Sequence, residues 1–188
     1  MARELHDAPL QELAGVIRRL ELVPEASAER DHLRQVASQL RAVATDLRPP
    51  VLDDLGLGAG LDFLAEQATS EALPVEAEVV DRTGIDRGSR LPADVELAAY
   101  RIAQEAVANA VQHARATRIV ISGELAPGRA HIAIADDGAG FGADAEHGAA
   151  RRARFGLATM RRRAESVDAD LRIESGRNGT TIRLSWQQ

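Results

Sequence analysis

The sequence has no cysteine and no apolar stretch long enough to cross a membrane. Without cysteine, the 188-residue chain cannot form disulfides, use a thiolate nucleophile or bind a metal through sulfur, which fits a reducing cytoplasm. A transmembrane helix needs about 18 or more successive apolar residues, and neither such a run nor a signal-peptide pattern is present. The chain begins inside a helical pattern, so we expect a cytoplasmic fragment linked to a membrane only through a missing upstream region.

Lysine is also absent, because all 23 basic residues are arginine. A Walker-type phosphate loop places a lysine on the nucleotide phosphates, and protein kinases that act on Ser, Thr or Tyr place one on a strand. The sequence excludes both classes. A net charge of −6 and an aromatic content of 3% disfavour a nucleic-acid-binding surface, so we expect no nucleic-acid partner.

Two stretches near the N terminus, residues 3–22 and a second that ends near Leu47, carry apolar residues at helical spacing on one face. A turn that contains Pro24 joins them. A lone helical hairpin cannot bury both apolar stripes, which predicts pairing with a second copy to give a four-helix bundle. A neighbouring domain is the alternative partner for these stripes.

Two successive prolines, Pro49 and Pro50, end this unit because they cannot continue a helix. We therefore divide the chain into a helical hairpin, residues 1–48, and a second domain, residues 49–188. The second domain follows the order α-β-α-β-β-loop-α-β-β, which predicts an α+β fold with helices over one face of a mixed sheet. The predicted helices span residues 52–71, 94–114 and 155–167, and the predicted strands span residues 75–80, 117–125, 129–135, 171–175 and 180–186.

One predicted helix carries three polar residues in line. Asn109 is one of only two asparagines, and it lies mid-helix, where Asn costs roughly half a kcal/mol relative to Ala. Glu105 and His113 lie four residues to either side and share its face. Together they can hold a hydrated Mg²⁺ and orient phosphates, because Mg²⁺ prefers oxygen ligands and keeps several waters. The alternative is a solvated polar face.

A second polar segment follows a predicted strand. Asp136 lies where the strand ends and can accept a hydrogen bond from an amine, while Gly138 and Gly140 let the backbone approach a ligand closely. Asp and Gly are also the favoured turn residues, so an ordinary turn is the alternative. Two later segments complete the set: Phe155-Gly156-Leu157 opens a helix, whose N terminus attracts phosphate, and Gly179-Thr180-Thr181 opens the last strand.

These segments resemble the transmitter core of two-component sensor histidine kinases, of the subclass that works with LuxR/NarL-type response regulators. The resemblance covers nearly all of the chain. In the second domain, Glu105 to His113 resembles the N box and Asp136 to Gly140 resembles the G1 box. Gly156-Leu157 with Met160 and Arg163 resembles the G2 box, and Gly179-Thr180-Thr181 resembles the G3 segment. Residues 47–52 with 55–57 resemble the connector of this subclass, and residues 3–7 with Gln11 resemble its H box.

The resemblance implies a Bergerat-type ATP-binding sandwich with ATP and Mg²⁺ as cofactors. In such a fold Asp136 reads adenine, Asn109 and Glu105 hold Mg²⁺, and residues 142–155 form an ATP lid. Residues 142–154 of this lid have no period and are expected to be mobile, and their arginines are expected to meet the phosphates as planar donors. The expected nucleotide-binding residues are Asn109, His113, Asp136, Gly138, Gly140, Arg154, Gly156, Leu157, Thr180 and Thr181.

The resemblance also implies a phosphoacceptor, although His6 alone would pass for an ordinary exposed helix histidine. His6 takes the γ-phosphoryl group and donates it to an aspartate of the regulator, since neutral imidazole is a good nucleophile near pH 7. Asp7 accepts the other ring N–H and fixes the tautomer. Gln11, four residues after Asp7, is assigned the orientation of a water that hydrolyses the regulator's acyl phosphate. Glu105 joins these three as a catalytic candidate.

Three other functions are compatible with parts of the pattern. A serine kinase of the anti-sigma type shares the ATP fold but lacks an H box. An ATPase of the gyrase, chaperone or mismatch-repair type needs transducer domains, for which 188 residues leave no room. A non-catalytic module with a degenerate nucleotide site, which dimerises and binds a regulator, is the alternative of a different class, and nucleotide binding separates it from the kinase.

Overall fold

The computed structural model describes residues 49–84, 89–140 and 147–188, and within the last range it describes side chains from residue 156 onward. The chain divides into two units, Met1–Pro49 and Pro50–Gln188, and the fold below is that of the second. The predicted helical hairpin, with His6, Asp7 and Gln11, lies outside the described residues. The hairpin, its dimerisation and the domain division after residue 48 therefore stay predictions.

Within the described residues, helices and strands follow the predicted order, preceded by one additional short helix. The helices are α1 (Pro50–Asp54), α2 (Leu57–Ala68), α3 (Ala93–Asn109) with a π-helical turn directly after it (Ala110–Ala114), and α4 (His147–Glu165). The strands are β1 (Val75–Asp81), β2 (Ile119–Ala126), β3 (Arg129–Asp136), β4 (Asp170–Gly176) and β5 (Gly179–Gln187). The strands predicted from apolar alternation in the sequence therefore lie close to the observed ones.

The strands form one mixed sheet in the order β1-β2-β3-β5-β4. β1 pairs parallel with β2, and the other neighbours pair antiparallel, so the predicted mixed sheet is confirmed. The register of β3 and β5 sets Asp136 opposite Thr180. It thereby brings together two residues that the sequence assigned to one site from segments far apart in the chain.

Apolar side chains on one face of the sheet pack with the helices into a single core. Ile121, Ile134 and Leu184 from three strands are buried in it, together with Ile102 of α3 and Met160 of α4. Burial of each such side chain contributes about 1.5–3 kcal/mol. No helix in the described ranges is long and apolar enough to cross a membrane.

The predicted helix over residues 52–71 is wrong in one respect, because it is two helices, α1 and α2. They are separated at Gly56, whose φ of +90° is one that residues other than glycine rarely adopt. Leu52 before the break and Leu57 after it are both buried. The apolar pattern therefore continues through the break and gave no sign of it.

The second difference concerns residues 142–154, which the sequence predicted to lack regular structure. Helix α4 begins at His147, so most of this stretch is helical. Only alanine and arginine occupy residues 149–154, and both rank among the strongest helix formers. Their propensity favours a helix even where no apolar stripe marks one. Residues 141–146 lie outside the described ranges.

Candidate nucleotide-binding site

A cleft opens beside α3 and the π-turn, over the adjoining ends of β3 and β5. Alanine and isoleucine make up half of its ten lining residues, and a few polar groups converge on it, which is typical of a small-molecule site. The lining residues are Ala106, Asn109, Ala110, His113, Ala114, Ile134, Asp136, Gly140, Thr180 and Ile182. Five of them were predicted from the sequence as nucleotide-binding residues: Asn109, His113, Asp136, Gly140 and Thr180.

The Asp136 carboxylate is held by the backbone on one side only. Its Oδ1 accepts hydrogen bonds from the backbone N–H of Gly138 at 2.9 Å and from that of Thr180 at 3.3 Å. No group in the described part of the chain donates to Oδ2. The side chain is therefore oriented by the protein and keeps one acceptor for a donor in the cleft.

The loop after β3 is fastened against the π-turn. The backbone N–H of Ala139 donates to the carbonyl of Ala114 at 2.8 Å. Gly138 approaches the same carbonyl so closely that a Cβ would overlap it. At Gly140 the φ of +65° favours glycine, and a Cβ there would overlap the carbonyl of Gly176. The two glycines, which the sequence predicted to allow close approach of a ligand, thus also allow this loop to pack closely against the backbone of Ala114 and of Gly176.

The helix that carries Asn109 changes its winding at that residue. α3 ends at Asn109, and Ala110–Ala114 form a π-helical turn that ends at Arg115 with a φ of +52°. A π-turn takes more residues than an α-turn, so His113 departs from the α-helical alignment that its spacing predicted. Asn109 and His113 both line the cleft all the same. Single π-turns are frequently found at functional sites.

Glu105 lies one turn before Asn109, and the Asn109 Nδ2 donates to Glu105 Oε1 at 3.3 Å. Gly156 of α4 packs against both, because a Cβ there would overlap Glu105 Oε1 and lie 3.1 Å from Asn109 Nδ2. The structure therefore brings Gly156 beside the polar residues of α3. Leu157 packs against the core, and the side chain of Arg154 lies outside the described residues.

The two threonines of β5 face opposite ways. Thr180 is buried, lines the cleft, and its hydroxyl lies 3.0 Å from that of Ser175. Thr181 is next along the strand, and successive side chains of a strand point to opposite faces of the sheet. Thr181 is accordingly absent from the cleft lining, although the sequence grouped it with Thr180.

Residues 94–188 hold all of the lining residues, and they match the family model described as histidine kinase-, DNA gyrase B- and HSP90-like ATPase. The chain belongs to this ATPase family. Its cleft is therefore a candidate site for ATP, and the α+β fold with a mixed sheet is that of an ATPase domain.

Two curated relatives extend the similarity over almost the whole chain. Sensor histidine kinase MctS of Rhizobium johnstonii is 34% identical over 97% of this chain and 41% of its own length. The signal transduction histidine-protein kinase/phosphatase DegS of Brevibacillus brevis is 32% identical over 98% of this chain and 50% of its own length. The chain thus spans half or less of these relatives. The predicted resemblance to sensor histidine kinases is confirmed.

A solved structure shares the fold. The histidine kinase domain from the Erythrobacter litoralis EL346 blue-light activated histidine kinase superposes with a TM-score of 0.57. The match covers 99% of this chain and 93% of that chain at 18% identity. At this identity the likeness concerns the fold alone.

The sequence predicted Glu105 and Asn109 as the residues that would hold Mg²⁺, and each carries a side-chain oxygen that could do so. Because the amide nitrogen of Asn109 donates to Glu105, its amide oxygen is turned away from that carboxylate. Within the described ranges, no group of three or more acidic or histidine side chains could hold a metal ion by itself. Two protein oxygens fit Mg²⁺ nonetheless, because this ion usually keeps waters and takes its remaining ligands from nucleotide phosphates.

Asp137 supports the site, although the sequence pattern did not single it out. Its carboxylate accepts hydrogen bonds from the Thr117 N–H at 2.7 Å, the Thr117 hydroxyl at 2.5 Å and the Arg118 N–H at 3.0 Å. The Thr117 hydroxyl, and then these backbone donors, hold the pKa of Asp137 below its ordinary value. Asp137 thereby ties the segment before β2 to the end of β3 beside Asp136. No spacing rule predicts a pairing across 20 residues.

Proposed function

We propose that the chain is the transmitter core of a sensor histidine kinase. It phosphorylates itself on His6 with ATP and passes the phosphoryl group to an aspartate of a response regulator. The observation that carries the proposal is the convergence of Asp136, Asn109 and Thr180 on one cleft in a chain of this ATPase family. The two curated relatives are named as a sensor histidine kinase and a histidine-protein kinase/phosphatase.

Asp136 is suited to the amino edge of adenine. Its Oδ1 is fixed by backbone donors, so Oδ2 offers an oriented acceptor to the exocyclic amine. Guanine presents a carbonyl oxygen at the equivalent position, which a carboxylate repels. Ile134 and Ile182 supply apolar surface to the same cleft, where a purine ring can be buried. These features favour ATP over GTP.

Asn109 and Glu105 are the residues that would hold Mg²⁺. When bound, the ion supplies neutralisation of the charge on the β- and γ-phosphates. His113 lies in the same cleft as Asn109, where its ring N–H can donate to a phosphate oxygen. The protein's part in the reaction is thus mostly positioning and charge stabilisation.

The transfer begins with attack by a ring nitrogen of His6 on the γ-phosphorus. A nitrogen–phosphorus bond forms as the bond to the β-phosphate oxygen breaks, and ADP leaves. Asp7 accepts the other ring N–H and stabilises the imidazolium as charge develops. The phosphoryl group then passes to the regulator's aspartate and neutral imidazole is regenerated. Gln11 orients the water that later hydrolyses the acyl phosphate.

The proposed partners are a receiver domain of the LuxR/NarL type and a second copy of the chain. The two copies would join through their hairpins, residues 1–48, into a four-helix bundle that buries both apolar stripes. The proposed location is the cytoplasm, where ATP and the regulator are found.

Incubation with radiolabelled ATP and Mg²⁺ tests the proposal. Wild type should acquire acid-labile, alkali-stable label, and His6→Gln should acquire none. His131→Gln is the matched control, because His131 is an exposed histidine that contacts Ser185 on the outer face of the sheet, and it should be labelled like wild type. Equal labelling of wild type and His6→Gln would overturn the assignment of His6. ATP binding without any label would favour the non-catalytic module.

A further inference from the structure

A buried ion pair stands at the N-terminal end of α3, far along the helix from the cleft. Arg90 Nε donates to Glu96 Oε1 at 3.0 Å, and Arg90 Nη2 donates to Glu96 Oε2 at 2.8 Å. The side chains of Arg90 and Glu96 are only 8% and 4% exposed. The pairing is bidentate, a geometry that the planar guanidinium supports and that a lysine cannot reproduce.

The same guanidinium also holds the end of α1. Arg90 Nη1 donates to the carbonyl of Asp53 at 3.1 Å, and Nη2 donates to the carbonyl of Leu52. These carbonyls belong to the last turn of a helix, where no further turn exists to satisfy them. Arg90 therefore joins α1 to α3 through four hydrogen bonds, and we name this arrangement the Arg90 strap.

Gly56, which follows α1 after one intervening residue, packs against the Arg90 guanidinium. Its φ is +90°, and a Cβ built on it would lie 3.4 Å from Arg90 Nε. The chain thus turns sharply over the guanidinium before α2 begins. The break between α1 and α2 and the position of Arg90 therefore belong to one local structure.

Stability alone is a poor reason for such a pair. Replacing a buried ion pair with apolar residues of similar size is often neutral or stabilising, because both charges had to be desolvated. What apolar residues cannot reproduce is the set of donors directed at the α1 carbonyls. The strap accordingly fixes the position of α1 relative to α3, which apolar packing alone would not determine.

We propose that Arg90 is a positioning residue, which locks α1 to the helix that ends at Asn109. α1 includes residues 50–52 of the connector recognised in the sequence, so the strap determines how this part of the connector is oriented against the nucleotide cleft. The inference rests on the proposed function, because the step that it serves is phosphoryl transfer from the cleft to His6. Loss of the strap should slow that transfer and leave nucleotide binding nearly intact.

Three variants of the full chain test the proposal. The double variant Arg90→Met/Glu96→Leu removes both charges together, so no buried charge is left without a partner. Arg90→Lys keeps a charge for Glu96 but cannot serve both carbonyls at the same time. Arg82→Met is the matched control, because Arg82 is an exposed arginine that faces Glu124 at 3.6 Å, and it should behave like wild type.

The measurements are autophosphorylation kinetics, ATP affinity and amide hydrogen exchange. In the double variant and in Arg90→Lys, the amides of Leu55 and Gly56, both bonded to the Val51 carbonyl, should exchange faster by about tenfold or more. The rate constant of autophosphorylation should fall by about tenfold to a hundredfold. The Kd for ATP and the exchange of the amides in β2 and β3 should stay close to wild type, which a general loss of stability would not allow.

Unchanged autophosphorylation in both strap variants would overturn the inference and leave the proposed function standing. An equal loss of ATP affinity and rate would also overturn it, because the strap would then merely support the fold. If wild type binds ATP but acquires no label on His6, the proposed function itself fails, and the inference falls with it.

Discussion

The two ends of α3 are built in opposite ways. At the N-terminal end, Glu96 is buried and bonded to Arg90, which is in turn bonded to carbonyls of α1. At the C-terminal end, the helix widens into a π-turn, and Asn109 and His113 line an open cleft. One end has its polar groups paired within the protein, and the other presents polar groups to the cleft.

This difference implies that the two ends of α3 contribute to different properties, the N-terminal end to the stability of the fold and the C-terminal end to nucleotide binding. A buried charge that is fully paired resists change, because loss of its partner leaves it uncompensated in a low-dielectric interior. Around the cleft, groups such as Asp136 keep hydrogen-bonding capacity that the fold does not use. We therefore expect substitutions at the strap to act on the free energy of unfolding or on geometry, and substitutions at the cleft to act on nucleotide affinity.

The largest effect on stability should come from removing one charge of the strap. Glu96→Leu leaves Arg90 buried without its carboxylate and should lower the free energy of unfolding by about 3–5 kcal/mol. The double variant Arg90→Met/Glu96→Leu should unfold much closer to wild type in urea, because neither charge remains. An equal loss in the single and double variants would show that packing, and not charge, stabilises this end of α3.

A smaller effect, on binding, should come from Asp136→Asn. Asparagine can still accept the Gly138 N–H through its oxygen, but it turns an NH₂ group toward the adenine amine. We expect ATP affinity to fall by about tenfold to a hundredfold, the equivalent of about 1.5–3 kcal/mol, with little change in unfolding. Calorimetric titration measures it. Asp170→Asn makes the same chemical change at an exposed residue of β4 and should bind ATP as wild type does; an equal loss of affinity in both variants would show that the effect is not specific to Asp136.

The smallest effect should be the pH dependence contributed by Asp137. Its folded pKa lies below the ordinary value, so its stabilising contribution is present above the unfolded pKa and disappears as the pH falls through the folded pKa. Below a pH of about 4, wild type should therefore lose stability more steeply than Asp137→Asn. Urea unfolding midpoints of the two proteins, measured at several pH values across this range, test the prediction. If both midpoints fall equally with pH, the Thr117 hydrogen bonds do not stabilise the Asp137 carboxylate.

The sequence predicted the strands of the described domain well because their signal is local. Alternation within β2 and β3 and the turn between them depend on neighbouring residues only. Asn109 and Asp136 could also be singled out from the sequence as residues of one site, because an amide in a helix and a carboxylate at a strand end stand out from their surroundings; both line the cleft.

What the sequence did not reveal depends on contacts between distant residues. Arg90 lies outside every predicted helix and strand, and no local pattern marks it, because its partners include the carbonyls of residues 52 and 53. The break at Gly56 belongs to the same contact. The π-turn after Asn109 is fixed against the loop of Ala139, far along the chain, and no periodicity encodes it. Thr181 does not line the cleft, since strand geometry places it on the face of the sheet opposite Thr180.

The central claim is that ATP binds in the cleft between α3 and the ends of β3 and β5. Amide chemical shifts of the isotope-labelled chain, recorded as MgADP is added, test its location most directly. The account predicts the largest changes at the side-chain amide of Asn109 and the backbone amides of Gly138, Gly140 and Thr180, and none at Arg172 on the outer face of the sheet. Saturable binding that leaves those four signals in place would contradict it.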